Sequence, residues 1–185
     1  MLIIPTSIPD VKIVEPKVFG DKRGYFMETW TDRDFVSAGI SVRFVQDNES
    51  SSSRGVLRGL HFQAGDAAQA KLVRVVHGAV FDVAVDIRRN SPTFGKWVGE
   101  ILSGENKREL FIPRGFAHGF LCLEQGTVFT YRCDNYYAPA SERGIRYDDP
   151  AIGIDWPLHL VSDTPLNLSQ KDGKHPSLAE CDSLF

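Results

Sequence analysis

Short runs of apolar residues alternating with polar ones recur at intervals of about ten residues along the first three-quarters of the chain. The runs fall at 11–14, 25–30, 42–47, 56–63, 71–76, 79–87, 96–102, 109–112, 117–123 and 128–133, and clusters rich in Gly, Pro, Asn and Ser separate them. Period-two alternation of this length predicts half-buried strands, not helices. The one good helix candidate is 31–39, where Thr31 or Asp32 can cap the start and Gly39 can end it. The polar stretch 48–55 reads as a loop, and His77-Gly78 reads as the turn of a hairpin joining 71–76 to 79–87. Many short strands with almost no helix predict an all-β antiparallel jelly roll, with 1–185 forming a single domain. Beyond Tyr136 the pattern weakens into a loop-rich tail, about 138–185, expected to pack on the barrel.

The run 56–63 differs from its neighbours. Arg58, His61 and Gln63 are set among Val56, Leu57, Leu60 and Phe62, so an apolar frame carries three groups suited to binding and proton transfer. Strict alternation places Arg58 and His61 on opposite faces. Gly59 lies between them, and a glycine inside a strand marks a bulge or a close backbone approach, which could turn both side chains into one cavity.

Composition narrows the function more than the fold. The 185 residues are 42% hydrophobic and 24% charged with a formal net charge of −3, ordinary for a globular chain and without the basic excess that nucleic-acid binding requires. Any phosphate binding must therefore be local. Cys122, Cys133 and Cys181 make an odd count without metal-ligand spacing, which predicts reduced thiols and a cytoplasmic location. No basic leader precedes the early apolar residues, which Pro5 interrupts, and no apolar run is long enough to span a membrane.

Nine motifs then follow one another through nearly the whole chain: 18–24 (VFGDKRG), 44–48 (FVQDN), 57–62 (LRGLHF), 71–74 (KLVR), 81–88 (FDVAVDIR), 91–95 (SPTFG), 112–120 (IPRGFAHGF), 135–137 (NYY) and 152–157 (IGIDWP). In that order they resemble the dTDP-4-dehydrorhamnose 3,5-epimerase family. The resemblance implies a cupin-type jelly-roll homodimer that uses no metal or other cofactor and acts on a dTDP-linked 4-keto-6-deoxy sugar in L-rhamnose or related deoxysugar synthesis.

The chemistry fits the residues. A ketone at C4 acidifies the hydrogens at C3 and C5, so inversion needs a base, a cation at the developing oxyanion and an acid on the opposite face. His61 is the natural base, because imidazole titrates near neutrality. The resemblance implies Asp172 as its partner, Tyr131 as the proton donor and Lys71 as the cation. It further implies that Arg23 and Arg58 bind the nucleotide-sugar, that Tyr137 stacks on the base, and that Glu28, Gln46, Asn48, His118, Glu142 and Lys171 contact the ligand. On the residues alone, Tyr131 would be core packing, Lys71 a strand-end charge and Asp172 a turn residue. Asp82 and Asp86, both on one strand, read as structural hydrogen bonders.

Three rivals stay open at this level. A relative could epimerise at C5 only or C3 only. A metal cupin would draw on a His and carboxylate cluster, but the five histidines are scattered and no His-x-His occurs. A non-catalytic nucleotide-sugar binder would have no use for an acid and a base.

Overall fold

The computed structural model describes residues 1–182 and 184–185. In chain order the strands are β1 (Leu2–Pro5), β2 (Lys12–Glu15), β3 (Val18–Asp21) and β4 (Gly24–Met27), followed by helix α1 (Asp32–Ser37). Then come β5 (Gln46–Ser52), β6 (Leu57–Gln63), β7 (Lys71–His77), β8 (Ala79–Asp86), β9 (Trp97–Ser103), β10 (Glu109–Ile112), β11 (Phe116–Cys122), β12 (Thr127–Cys133) and β13 (Glu142–Gly144). Two antiparallel sheets face each other, in the orders β1, β2, β10, β7, β12, β5 and β13, β6, β11, β8, β9, while β3 and β4 form a separate hairpin. This is the jelly roll that the alternation predicts.

Alternation also explains the layers. Val73 and Val75 of β7, Leu110 and Ile112 of β10, Phe120 of β11 and Phe129 of β12 point inward and meet Val80 and Ala84 of β8. On the other side of the five-stranded sheet, Leu57, Leu60 and Phe62 pack with Ile145, Ile152, Trp156, Val161, Leu178 and Cys181 of the C-terminal segment. That sheet is therefore covered on both faces, and its strands β8 and β11 are buried almost throughout.

Helix α1 is shorter than its predicted span, and Thr31 occupies the N-cap position without a side-chain hydrogen bond. What holds the helix is Phe35, packed edge-on against Phe44 and Phe111. Burial of that ring contributes roughly 1.5–3 kcal/mol.

Two expectations are corrected. The stretch read as a polar loop is largely strand: β5 runs from Gln46 to Ser52 and pairs in full register with β12, whereas 42–45 is not strand. Being an edge strand, β5 needs few apolar residues, and its backbone pairing survives polar side chains. The proposed hairpin is also absent: β7 pairs with β10 and β12, and β8 pairs with β11 and β9. At His77-Gly78 the chain crosses between sheets, so the two strands meet through their side chains in the core and not through their backbones.

Candidate active site

Gly59 does what its position in the strand suggests. A Cβ there would lie 2.5 Å from the Cα of Gly119, at φ +131°, so only glycine lets β6 approach β11 this closely. The register between the strands shifts at the same place, between His118 and Phe120. His61 and His118 are register partners across this junction, which puts both imidazoles on the barrel side.

Opposite them, three strands align their inward residues. Lys71 of β7 pairs with Cys133 of β12, which pairs with Gln46 of β5, and Tyr131 pairs with Asn48 one step along. These residues, with His61, Gln63, Gln69, Tyr137 and Glu142, line a cavity of about 360 Å³. Its volume is that of a small-ligand site.

The two histidines have separate carboxylates. His61 Nε2 is 2.5 Å from Asp172 Oδ1, and Ser169 Oγ donates to Asp172 Oδ2 at 2.7 Å. Burial pushes the Asp172 carboxyl upward, but the hydrogen bonds from His61, Ser169 and the Gly59 backbone outweigh it and hold the pKa at about 2. Asp172 is thus an anion that can only accept, so Nε2 of neutral His61 carries the proton and Nδ1 is left to act as a base. His118 Nε2 instead meets Asp82 Oδ2 at 2.9 Å. Burial drives the His118 pKa below the usual imidazole value despite that carboxylate, so His118 is neutral at neutral pH.

Lys71 makes no ion pair among the described residues, and its ammonium stands 5.9 Å from the Tyr131 ring centroid. Burial lowers its pKa, with Cys133, Asp82 and Glu142 pulling the other way. Burial raises the pKa of the Tyr131 phenol, so it stays protonated at neutral pH, and Arg58 opposes that shift. Burial also lifts the Cys133 thiol to about 11, which makes it an inert wall.

A second cluster forms the outer rim. Glu142 Oε2 accepts from Tyr137 Oη at 2.8 Å and pairs with Lys171 Nζ at 2.6 Å. Gln46 Oε1 accepts the Tyr137 backbone N–H, and Gln46 Nε2 donates to Asn48. Arg58 donates to Ser52 Oγ at 3.3 Å and is not among the cavity-lining residues, so Gly59 does not place it beside His61. Gln63 lines the cavity but its amide is committed to the backbones of Ala67, Tyr136 and Ala138, a loop-tying role.

Arg23 and Glu28 do not reach this cavity from within the chain. Arg23 lies on the exposed β3–β4 hairpin, where it pairs with Asp21, and Glu28 follows β4 on the surface. Asp86 is structural, held by Arg88, Ser91 and Thr93. The sequence reading missed Ser169, the choice of His118 as the partner of Asp82, which it had read as a structural hydrogen bonder, and His175, whose Nε2 lies 3.6 Å from Asp172 Oδ1. Only the first left a trace: a Ser three residues before Asp172 has the spacing of a local cap, and the Asp172 N–H does bond to it.

A jelly roll whose cavity holds a carboxylate-backed imidazole, a buried lysine without an ion pair among the described residues and a protonated phenol defines a class, the acid–base isomerases that work beside a carbonyl. The chain belongs to the dTDP-4-dehydrorhamnose 3,5-epimerase family, whose model matches residues 5–180. It is 56% identical over 179 residues to the enzyme of that name from Salmonella typhimurium, covering 96% of each chain. It is 55% identical over 177 residues to the one from Methanothermobacter thermautotrophicus, covering 96% of this chain and 94% of that one. The solved dTDP-6-deoxy-D-glucose-3,5-epimerase from Legionella pneumophila, in complex with dTDP-4-keto-L-rhamnose, superimposes with a TM-score of 0.93 at 53% identity. The match covers 98% of this chain and 94% of that one.

Proposed function

We propose that this chain converts dTDP-4-dehydro-6-deoxy-D-glucose into dTDP-4-dehydro-L-rhamnose by epimerisation at C3 and C5, without a cofactor, as a step in deoxysugar synthesis. The observation that carries the reading is the ionised Asp172 on Nε2 of a cavity-lining His61. His61 Nδ1 removes the proton from C5 or C3, and the bonding electrons pass to the C4 oxygen to give an enolate. The Asp172 anion stabilises the imidazolium that forms, and the Lys71 ammonium stabilises the enolate oxygen more than the ketone. Tyr131 then returns a proton to the opposite face of the carbon, and solvent reprotonates the phenolate.

His118 is assigned to hold the sugar from the other strand, Arg58 to the pyrophosphate, and Tyr137, Gln46, Asn48, Glu142 and Lys171 to the nucleotide side. Arg23 and Glu28 join them in a homodimer. The hairpin that carries Arg23 exposes Val18, Phe19, Tyr25 and Phe26 to solvent, an apolar surface suited to docking on a second copy of the chain and bringing both residues to that copy's cavity. The three unpaired cysteines support a cytoplasmic location.

The test is incubation with the 4-keto sugar in heavy water, with deuterium entry at C3 and C5 followed by NMR. Exchange at both carbons, abolished by His61→Ala, is the expected result. Exchange at one carbon alone would make the chain a single-centre epimerase, and exchange at neither would reject catalysis.

A further inference from the structure

Asp172 is shared by two histidines. Oδ1 lies 2.5 Å from His61 Nε2 and 3.6 Å from His175 Nε2, and the two imidazoles meet edge to face with centroids 5.5 Å apart. The three ligand atoms all fall within 4.8 Å of one another. The His175 side chain is only 9% exposed, and its Nε2 is buried with no hydrogen-bond partner among the described residues. Gly144 leaves the ring its room, since any Cβ there would clash with it. A buried nitrogen without a partner costs free energy unless something else uses its lone pair. Proton transfer by His61 does not use it.

We propose that a divalent transition-metal ion, zinc in the first place, binds His61 Nε2, Asp172 Oδ1 and His175 Nε2 and switches off the base. Two imidazoles and one carboxylate are the donor set that three-coordinate protein sites offer to zinc, with a fourth position left for water. Tetrahedral zinc with bonds of about 2.0–2.2 Å holds its donors roughly 3.3–3.5 Å apart, so His61 Nε2 and Asp172 Oδ1, now 2.5 Å apart, separate by a modest side-chain movement, while Asp172 Oδ1 and His175 Nε2 at 3.6 Å are already close to that spacing. The outer contacts are already in place: Ser169 fixes Oδ2 and leaves Oδ1 to the two imidazoles, as a supporting residue of a metal site should. Entry is from the cavity, which His61 lines with its side chain 29% exposed. His118 is excluded, because its Nε2 is committed to Asp82.

Inhibition follows from the tautomer. In the working state the proton is on Nε2 and the lone pair on Nδ1. For a metal to bind Nε2 the ring proton shifts from Nε2 to Nδ1, the Nε2 pair so freed forms the metal bond, and no pair remains on Nδ1 to accept hydrogen from the sugar. The ring stays neutral, nothing is oxidised or reduced, and the enzyme is off until the metal leaves. The inhibition rests on His61 being the base, whereas the binding does not.

The test uses the whole chain, stripped with EDTA. Zinc alone is titrated against a chromophoric chelator, and deuterium exchange into the 4-keto sugar is followed in parallel. One zinc per chain is expected, with exchange at C3 and C5 falling in step and returning on EDTA. His175→Ala should weaken zinc binding at least about tenfold and raise the inhibiting concentration equally, with exchange in EDTA unchanged. His175→Asn serves the same purpose with less lost volume if the alanine variant folds poorly. Equal zinc affinity and inhibition in wild type and folded His175 variants would overturn the proposal, as would binding without inhibition of an active enzyme. Stoichiometric zinc lost on His175 substitution supports the site even if EDTA-treated enzyme shows no exchange. That last result would count against the epimerase reading alone.

Discussion

Asp172 Oδ1 lies 2.5 Å from His61 Nε2 across 111 residues of chain, so the group that sets the base's tautomer comes from outside the barrel strand that carries it. The segment bearing Asp172 is pinned beside β6 by the backbone hydrogen bonds of Asn167 with Gly55 and Leu57 and by the bridge between Val56 and Asn167. Packing of the C-terminal segment on the sheet is therefore what brings Asp172 to His61.

Asp172→Asn keeps the shape of the dyad but presents a neutral amide. It should lower kcat by roughly a hundred- to ten-thousandfold, as expected when an imidazole loses the anion that fixes its tautomer. KM should change little, because Asp172 is not among the cavity-lining residues. Steady-state kinetics would show this directly, and a rise in KM at constant kcat would contradict it. The same carboxyl has its folded-state pKa lowered from 3.8 to about 2. Its contribution to stability is present above about pH 4 and is lost as pH falls through 2. The difference between wild type and Asp172→Asn in acid unfolding should shrink over that window.

On the proposed roles, Tyr131→Phe removes the returning proton but not the base. His61 can still take a proton and give it back on the same face, so deuterium should continue to enter the substrate while the epimerised product falls by roughly a hundredfold or more. NMR of a heavy-water incubation reads both quantities in one spectrum. Parallel loss of exchange and product would show that the phenol acts before or during abstraction, not after it.

Arg23 and His61 offer a test of sharing between chains. If the hairpin of one chain completes the cavity of its partner, Arg23→Ala and His61→Ala are each inactive as homodimers. Mixing and reassociating the two should restore activity, since one of the two sites in a mixed dimer receives wild-type residues from both chains. Activity that stays at the level of the separate variants would place Arg23 and His61 in the same chain's site, or Arg23 in none.

How much of this could be read in the sequence depended on whether the information was local. The strands β8, β10, β11 and β12 were legible because each alternates or runs apolar against a buried layer, and Gly59 was legible because a glycine inside such a strand has few other reasons to be there. β5 was not, since an edge strand made of Gln46, Asp47, Asn48, Glu49 and three serines is held by its pairing with β12 and has the composition of a loop. The crossover at His77-Gly78 looked like a hairpin because a turn signal does not reveal which sheet receives the next strand. At the site, His61 stood out from its strand alone. Tyr131, Lys71 and Asp172 came only through the motif set, and the His118–Asp82 pair and His175 through neither. Pairings over long sequence distances are fixed by register and packing, which no short pattern encodes.

Glu109 gives the last prediction, on the outer face of the six-stranded sheet. Its side chain is buried, Oε1 has no hydrogen-bond partner among the described residues, and burial raises its pKa from 4.5 to about 8 despite the charges of Arg74 and Arg132. Between those two pH values the folded chain keeps a proton that the unfolded chain has released, so stability falls as pH rises from about 4.5 and levels off beyond about 8. Glu109→Gln removes the titration and keeps the volume. The variant should match wild type near pH 4 and exceed it by about 4 kcal/mol at pH 8, the shift converted at about 1.4 kcal/mol per pH unit. Urea midpoints measured across that range would check the sign. A wild type that gains on the variant as pH rises would mean that Glu109 is ionised and paired in solution, with a partner from a second chain as the candidate.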